Sequence, residues 1–375
     1  MRKKRFSLLH LVILVPVTAV LTAGILLGVL YALVGKEGLS LLEGLYLVNS
    51  RFVGEYDETQ VVDSALSGMV DGLGDRWSYY LTQEEYEDQN QRRTNKYVGV
   101  GVTVDYGSEE GLRVVAVTAD GPAEKAGIQA GELITAVDGF SLAGEARYEG
   151  AERIQGEEGT VVSLEMRSAD GQTRTVELTR TSLDSDPVTA EMLEGNIGYV
   201  ALANFYDNSA ERLEEEVTRL QEEGAVALVF DMRNNGGGYL SELTDMLDFL
   251  LPEGPIFITR DRAGNEKVTE SDEQCVDLPM AVLVNANTYS AAEFFAAELQ
   301  ERGVAVIVGE PTSGKGYSQQ TFALPHGGAM AISTSAYFTG SGTSLIGTGL
   351  TLDREVSLTG EGDAQLEAAL ELLKQ

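Results

Sequence analysis

A serine, a lysine and a run of glycines follow three separate apolar segments of this chain, and together they could form a nucleophilic catalytic site. Ser290 lies in NANTYSAAE after MAVLV, and Lys315 lies in EPTSGKGYSQ after VAVIVG. Glycines 236–238 lie in DMRNNGGG after AVALVF. Serine can attack a carbonyl carbon, a neutral lysine can accept its proton, and backbone N–H groups can stabilise the resulting oxyanion. The segments are therefore candidates for a nucleophile, its base and its oxyanion donors.

Ser290 begins a predicted helix, SAAEFFAAELQERG, where the positive end of the helix dipole favours developing negative charge. Serine is also a common N-cap residue, so its position alone does not identify a nucleophile. The chain contains two histidines: His10 lies in an apolar N-terminal run and His326 lies in the turn LPHGG. Neither is placed to serve as a base, which disfavours a Ser-His-Asp triad. A HExxH zinc site is excluded because no paired histidines exist.

Lys315 is the remaining candidate base. Lysine is charged in water, so it can accept a proton only where burial in an apolar pocket lowers its pKa. The loop TSGKGYS around Lys315 is rich in glycine and carries no other charge, and the amide of Gln319 could orient the amine by a hydrogen bond. A surface turn lysine could have the same local sequence. The convergence of three loops, rather than Lys315 alone, favours catalysis.

Residues Gly309–Lys315 also match G-x-x-x-x-G-K, the beginning of a phosphate-binding loop. That motif continues with Ser or Thr, which holds magnesium, and leads into a helix whose N-terminus faces the phosphates. Here Gly316 follows the lysine, and the next segments, SQQTFALP and AMAISTSAYF, have strand character. A nucleotide-dependent enzyme is therefore the weaker alternative, and we expect no nucleotide, metal or other cofactor.

Strand-like and helix-like segments alternate along the chain from Gly195 onward. AVALVFDMR, PMAVLVNA and VAVIVGE are short, near-continuous apolar runs, as buried parallel strands are. SAERLEEEVTRLQEEG reads as an amphipathic helix with Ser209 as N-cap and Gly224 as its stop. This alternation predicts an α/β core with a mostly parallel sheet and right-handed crossovers. Ligands bind beyond the carboxyl ends of such strands, so the three candidate loops would meet at one edge.

The N-terminus has the features of a membrane anchor. MRKKRF precedes a run without charge from Leu8 to Val34, which is long enough to span a bilayer as a helix. The basic residues before the run place the N-terminus inside the cell by the positive-inside rule. A cleaved signal peptide is the alternative, but the apolar run is long and no clear A-x-A site follows it. The sequence thus predicts a single-pass cell-membrane protein whose remaining chain is extracytoplasmic.

Composition limits the remaining function classes. The 375 residues are 43% hydrophobic, which is ample for packed cores, and the formal net charge is −32. Nucleic-acid binding needs clustered Lys and Arg side chains. A chain with this much negative charge is therefore not expected to bind nucleic acid. Cys275 is the only cysteine, which excludes an intrachain disulfide.

A small β-rich domain is predicted between the anchor and the α/β core. YVGVGVTVDY alternates as a strand does, and TVVSLEMRSADGQTRTVELTR reads as a hairpin. The segment before it has apolar residues at helical spacing. The predicted division is 1–35 for the cytoplasmic tail and anchor, 36–96 for a helical region, 97–181 for the β-rich domain and 182–375 for the core.

The order of these segments resembles the C-terminal processing proteases, also called tail-specific proteases, of the S41 serine peptidase family. The similar features are a PDZ-like domain followed by DMRNNGGG, NTYSAAE and SGKGYSQ, and they extend from about Leu45 to the end of the chain. The resemblance implies an S41 protease core with an inserted PDZ-like domain. It also implies a serine endopeptidase that acts through an acyl-enzyme on proteins or peptides with free C-termini.

The resemblance assigns roles to individual residues. Ser290 matches the nucleophile, Lys315 the general base and Gln319 the residue that orients the lysine. Gly237 matches the backbone oxyanion donor, with Gly238 beside it as a second donor. In YVGVGV, backbone N–H groups would bind the substrate's terminal carboxylate while the substrate adds a strand to the domain edge. The residues of that loop are Gly99, Val100, Gly101 and Val102.

Three positions depart from the family pattern: Leu352, where a Pro-Asp pair is common, and two others that bear on the glycine loop or on regulation. Gly236 stands where the family usually has proline, and Gln155 stands where many members carry an arginine before glycine. The departure at Gln155 puts in doubt whether peptide binding is coupled to the active site in the usual way. A catalytically inactive scaffold that only binds protein tails through the PDZ-like domain is the alternative function. A homodimer formed through the helical region is left open.

Overall fold

The computed structural model describes residues 8–358 and 362–374. The chain divides into two compact units at Val62 and Asp63. The first contains helix α1 (Leu8–Arg51), whose backbone leaves the helical conformation at Gly35, with φ 67° and ψ −172°. Residues Leu14–Arg51 are long and apolar enough to cross a membrane, a property that membrane anchors share with signal sequences.

Three short elements precede the β-rich domain: α2 (Glu58–Asp71), β1 (Tyr79–Leu81) and α3 (Gln83–Arg93). Helix α3 begins with a capping box, in which the Thr82 hydroxyl accepts the Glu85 N–H and the Glu85 carboxylate accepts the Thr82 N–H. The loop between α2 and β1 carries the sequence GLGDRWS and ends in a strand. The region 36–96, which was predicted to be helical, therefore also contributes a strand, β1, to a sheet.

The β-rich domain is an antiparallel sheet in the order β3-β4-β5-β7-β8, with β6 paired to β5. Its elements are β2 (Lys96–Gly99), β3 (Val102–Asp105), β4 (Leu112–Val117), α4 (Pro122–Lys125), β5 (Leu133–Val137), β6 (Phe140–Ser141), a 3-10 helix (Gly144–Glu149), α5 (Gly150–Ile154), β7 (Val161–Arg167), β8 (Thr173–Thr179) and β9 (Thr181–Asp184). Alternate residues of β7, namely Val162, Leu164 and Met166, are fully buried in its core. Strands β2 and β9 pair with each other where the chain enters and leaves the domain.

The core contains a six-stranded sheet in the order β10-β11-β12-β15-β16-β19. Its strands are β10 (Val188–Leu193), β11 (Ile197–Leu202), β12 (Ala227–Asp231), β15 (Met280–Val284), β16 (Ala305–Gly309) and β19 (Arg354–Glu355). Every residue of β12 and β15 is buried, as the apolar runs predicted. Helices α6 (Ser209–Glu222), α7 (Leu240–Leu250) and α8 (Ala291–Glu301) pack in one hydrophobic cluster, and α9 (Ala364–Leu372) packs in another.

A second, five-stranded sheet is entirely antiparallel and was not predicted. It consists of β1, β13 (Gly254–Asp261), β14 (Glu266–Ser271), β17 (Tyr317–Ala323) and β18 (Ala329–Phe338). The pairs β13–β14 and β17–β18 are joined by short turns, and strands joined this way can only run antiparallel. Strand β10 also runs antiparallel to β11. The core therefore contains one mixed sheet, in which β11, β12, β15, β16 and β19 pair in parallel, and one antiparallel sheet. The prediction of a mostly parallel sheet is not confirmed for the core as a whole.

Candidate active site

Three loops meet at the carboxyl edge of the six-stranded sheet, because β12, β15 and β16 are adjacent and parallel. The first loop contacts the second through the Asn234 N–H, which donates to Asn285 Oδ1 at 3.0 Å. The third contacts the second through the Ser313 hydroxyl, which donates to the Ala286 carbonyl at 3.0 Å. The structure thus brings together the three segments that carry Gly237, Ser290 and Lys315.

Ser290 lies on a sharp turn between β15 and α8. Its φ of 61° and ψ of −128° lie in a region that residues other than glycine seldom occupy, and its side chain is buried. Such strained backbone costs about 1–3 kcal/mol and persists only where the surrounding structure imposes it. Because α8 begins at the next residue, the Ser290 side chain lies at the positive end of a helix dipole.

A single buried carboxylate joins the serine loop to the lysine loop. Glu293, in the first turn of α8, is fully buried. Its Oε2 accepts the backbone N–H of Ser290 at 3.2 Å and that of Lys315 at 2.9 Å. Its Oε1 accepts the Thr312 hydroxyl at 2.5 Å and the Gly314 N–H at 2.7 Å. One oxygen atom therefore contacts the backbones of both predicted catalytic residues.

The amine of Lys315 lies in an aromatic environment. Its Nζ is 5.0 Å from the ring centroid of Trp77 and 5.7 Å from that of Tyr289, the residue before Ser290. Burial lowers the pKa of Lys315 from 10.5 to about 8; the charges of Asp75 and Glu293 oppose this shift and that of Arg93 adds to it. Among the described residues, no hydrogen bond joins this amine to the Ser290 hydroxyl, and such bonds are often long without substrate.

Gln319 lies on β17, four residues after the lysine, but its amide is directed elsewhere. Its Nε2 donates to the Tyr317 carbonyl and to the Ser333 hydroxyl, each at 3.0 Å. No hydrogen bond between Gln319 and the Lys315 amine occurs in the part of the chain that the structure describes. The role of Gln319 in orienting the lysine stays a prediction.

The glycine loop is fixed at its beginning by polar side chains that the sequence analysis did not single out. The Arg233 guanidinium donates from Nε to Asp231 Oδ1 and from Nη1 to Asp363 Oδ1, each at 2.9 Å. The fully buried Asn235 donates from Nδ2 to the Leu202 carbonyl at 2.8 Å. The ion pair between Arg233 and Asp363 joins the beginning of this loop to the residue before α9.

Gly237 packs directly against the serine. Its φ is 82°, and a Cβ placed on it would lie 2.9 Å from Ser290 Cβ and 2.8 Å from the Ala291 nitrogen. Its N–H donates to Asn235 Oδ1 at 2.8 Å, so this predicted oxyanion donor is already occupied within the loop. Gly238 is also close-packed, since a Cβ on it would lie 2.2 Å from the Phe205 carbonyl oxygen. A side chain at Gly237 would displace the backbone around Ser290, and a side chain at Gly238 would displace the backbone of Phe205.

The backbone N–H groups of Gly238 and Ala291 are better candidates for oxyanion donors, because they are less engaged in internal hydrogen bonds. Phe205 and Gly238 form an isolated β-bridge. In this bridge the Phe205 N–H donates to the Gly237 carbonyl and the Tyr239 N–H donates to the Phe205 carbonyl, so the Gly238 N–H is not used. Within residues 8–358 and 362–374, no hydrogen bond involves the N–H of Gly238. Ala291 is the first helical residue of α8, where N–H groups lack intrahelical acceptors. The sequence analysis did not consider the Ala291 N–H as a candidate oxyanion donor, although its place directly after a helix-initiating serine is a usable signal.

Close backbone packing, rather than phosphate binding, accounts for the glycines of the phosphate-loop pattern. Gly309, with φ 143°, ends β16, and a Cβ on it would lie 1.9 Å from the Val284 carbonyl oxygen. Gly314, with φ 69°, contacts the segment of Gly347 and Gly349. Strand β17, not a helix, follows Lys315. Without a helix N-terminus, this loop lacks the main phosphate-binding feature of a P-loop.

The predicted carboxylate-binding loop lies at one end of the β-rich domain. Gly99, Val100, Gly101 and Val102 line a small cleft together with Ala151, Ile154 and Gln155. Gly101 has φ 81°, and its carbonyl accepts the Thr118 N–H at 3.0 Å. Strand β3, which begins at Val102, is an edge strand of its sheet. A peptide could therefore pair with β3 while its terminal carboxylate reaches the loop.

This fold and this triple-loop site, with a PDZ domain inserted before it, define a serine-type peptidase of family S41. The family model described as "Peptidase family S41" matches residues 196–356, and the one described as "PDZ domain" matches residues 113–168. The "Carboxyl-terminal-processing protease" of Synechocystis sp. is 33% identical over 325 residues, which is 83% of this chain and 76% of that protein. The chain belongs to the carboxyl-terminal-processing protease family.

Two further relatives agree with this assignment. "Carboxy-terminal processing protease CtpA" of Bacillus subtilis is 30% identical over 297 residues, covering 79% of this chain and 64% of that protein. A solved structure named "Photosystem II D1 C-terminal processing protease" has a TM-score of 0.52 and 27% identity, and the match covers 91% of this chain and 92% of that one. The resemblance predicted from the sequence is thereby confirmed.

Proposed function

We propose that this chain is a membrane-anchored serine endopeptidase that captures protein C-termini with its PDZ domain and cleaves with Ser290 and Lys315. The observation that carries the proposal is the Glu293 carboxylate, which binds the backbones of both residues. The dry, aromatic surroundings of the lysine amine support it, because a base must be neutral to accept a proton.

In the proposed reaction, Ser290 Oγ attacks the scissile carbonyl carbon and its proton passes to Lys315 Nζ. The carbonyl electron pair moves to oxygen, where the backbone N–H groups of Gly238 and Ala291 stabilise it. The Gly237 N–H would join them only on leaving Asn235 Oδ1. The intermediate collapses, the C–N bond breaks, and the leaving amine takes the proton from Lys315. Water then attacks the acyl ester and gives a proton to Lys315. As the ester C–O bond breaks, Lys315 returns that proton to Ser290 Oγ, and the released carboxylic acid loses its own proton to solvent. The scheme uses no metal or nucleotide.

The division of the chain is part of the same proposal. Residues 1–35 would form a cytoplasmic tail and anchor, so that only the part of α1 before residue 36 crosses the membrane. Residues 36–96, 97–181 and 182–375 would lie outside the cytoplasm. The length and apolar character of α1 support the anchor. Proteolysis of intact cells from the outside should then degrade the PDZ and protease regions and spare a short N-terminal fragment.

The selection of C-termini can be tested with two peptides that differ only in a terminal carboxylate or carboxamide. The full chain in detergent should cleave the carboxylate peptide about 10- to 100-fold faster at low concentration, because hydrogen bonds to a charged group contribute about 1.5–3 kcal/mol. Mass spectrometry of the products gives the rates and the cleavage sites. Equal rates for both peptides would contradict capture of the C-terminus by the PDZ domain.

The rate of cleavage should rise with pH. A pKa of about 8 for Lys315 means that the neutral, basic form increases about tenfold per pH unit below pH 8 and then levels off. The pH profile of kcat/KM, which reports groups of the free enzyme, should therefore have a basic limb with its midpoint near pH 8. A flat profile from about pH 6 to 9 would argue against a lysine base.

A further inference from the structure

One wall of the lysine pocket comes from outside the six-stranded sheet and the PDZ domain. Residues Asp75–Ser78, in the loop between α2 and β1, lie beside Lys315. The Trp77 ring is 5.0 Å from Lys315 Nζ and 5.9 Å from the Tyr289 ring, at an interplanar angle of 33°. The amine is therefore bordered by two neighbouring aromatic rings, which occupy space that water would otherwise fill.

A series of hydrogen bonds fixes the loop that carries Trp77. The Asp75 carboxylate accepts the Trp77 N–H at 3.1 Å and the Ser78 hydroxyl at 2.6 Å. The Ser78 hydroxyl in turn accepts the Ser333 N–H of β18 at 3.0 Å. The Ser333 hydroxyl accepts the Gln319 amide at 3.0 Å. The loop is thus bound to the same hairpin, β17–β18, that begins directly after the lysine loop.

The charged groups that face the lysine amine come from three elements. Asp75 precedes Trp77, Arg93 ends α3, and Glu293 belongs to α8; Asp75 and Glu293 favour the ammonium and Arg93 disfavours it. Arg76 stacks on the Trp77 ring, with its guanidinium 4.2 Å from the ring centroid. Among the residues that the structure describes, none forms an ion pair with Lys315, and exclusion of water is the largest influence on its pKa.

We propose that Trp77 is a positioning residue for the general base, held over the Lys315 amine by the hydrogen bonds of Asp75, Ser78 and Ser333. The inference rests on the proposed function and adds a role for a segment that precedes the PDZ domain. Trp77 neither gives nor takes a proton in the reaction and acts only through the Lys315 amine. It excludes water from the amine and limits its movement, so that the lysine is neutral at a lower pH.

Trp77 is the only tryptophan in the chain, so its fluorescence reports directly on this pocket. We expect the emission of the Ser290→Ala full chain in detergent to titrate with a midpoint near pH 8, because an ammonium and a neutral amine affect the indole differently. Burial also raises the pKa of Glu298 to about 8, so the Ser290→Ala, Lys315→Met double variant is the necessary control.

The two fluorescence outcomes are distinct. A titration near pH 8 that disappears in the Lys315→Met background supports the proposed contact. A titration that is unchanged by Lys315→Met, or the absence of any titration, overturns it. Because this readout does not depend on cleavage, it can fail while Ser290 and Lys315 are still shown to be catalytic, and the reverse is equally measurable.

Activity variants test the positioning role itself. Trp77→Ala should admit water, move the basic limb of kcat/KM upward by about one pH unit and lower kcat at pH 7 about tenfold, with a smaller change in KM. Trp77→Phe, which keeps a ring, should restore most of the activity, and Ser78→Ala should shift the midpoint upward by less than Trp77→Ala does. A wild-type midpoint in Trp77→Ala would overturn the proposal, because a merely structural role would not be expected to move it.

Discussion

Replacement of Ser290 by alanine should lower kcat/KM for a peptide substrate by about 10⁴-fold or more, and Lys315→Met should have a similar effect. The alanine variant has no nucleophile, and methionine fills the aromatic pocket without offering a base. The rates can be followed by chromatography of the cleavage products from the full chain in detergent. Loss of either residue should be as severe as loss of both, because nucleophile and base act as a unit.

Lys267→Met, on the exposed strand β14, is the matched control and should leave turnover unchanged. If either active-site variant kept wild-type turnover, the Ser–Lys pair would be rejected. If the wild-type chain bound peptides with free C-termini but cleaved none of them, the alternative of an inactive tail-binding scaffold would be favoured. Circular dichroism of each variant separates loss of activity from loss of fold.

Substitution of Glu293 by glutamine should disrupt the site through its geometry. The carboxylate accepts four hydrogen bonds, whereas glutamine presents an N–H₂ group to donors and leaves some of them unpaired. We expect the free energy of unfolding to fall by about 2–4 kcal/mol, since hydrogen bonds to buried charged groups are costly to lose. We also expect kcat to fall about 10²-fold, the usual effect of displacing catalytic groups by about 1 Å.

Glu301→Gln, at the exposed end of the same helix, is the matched control for Glu293→Gln. Thermal denaturation and steady-state kinetics of the two variants measure the two expected losses separately. A Glu293→Gln chain with wild-type kcat would show that the shared carboxylate does not determine the relative position of the serine and lysine loops.

The sequence predicted the strands that support the site better than the contacts within it. The apolar runs at β12, β15 and β16 follow from burial on both sheet faces, and their order places Ser290 and Lys315 at one edge. Ser290 was singled out because its loop follows one of these strands, as do the loops of Lys315 and glycines 236–238. These features are local periodicities, which a single sequence contains in full.

The remaining features depend on long-range contacts. In the sequence, Glu293 is an acidic residue in the first turn of a helix. The neighbouring residues give no sign that its carboxylate accepts hydrogen bonds from a loop more than twenty residues away. Trp77 is still more distant in sequence from Lys315. The antiparallel second sheet was missed because its strands β13 and β14 are partly exposed and lack continuous apolar runs. The hydrogen bond from the Gly237 N–H to the Asn235 side chain depends on a turn that the sequence alone does not specify.

The most direct test of the central claim is the labelling of Ser290 by a fluorophosphonate, followed by intact-mass and peptide mass spectrometry across pH. Ser290 Oγ attacks phosphorus, fluoride leaves, and Lys315 accepts the hydroxyl proton, so the reaction needs the same pair as cleavage but no C-terminal recognition. The account predicts a single adduct at Ser290, with a labelling rate that rises through about pH 8 and is lost in Lys315→Met. Labelling at another residue, or an equal rate in Lys315→Met, would contradict it.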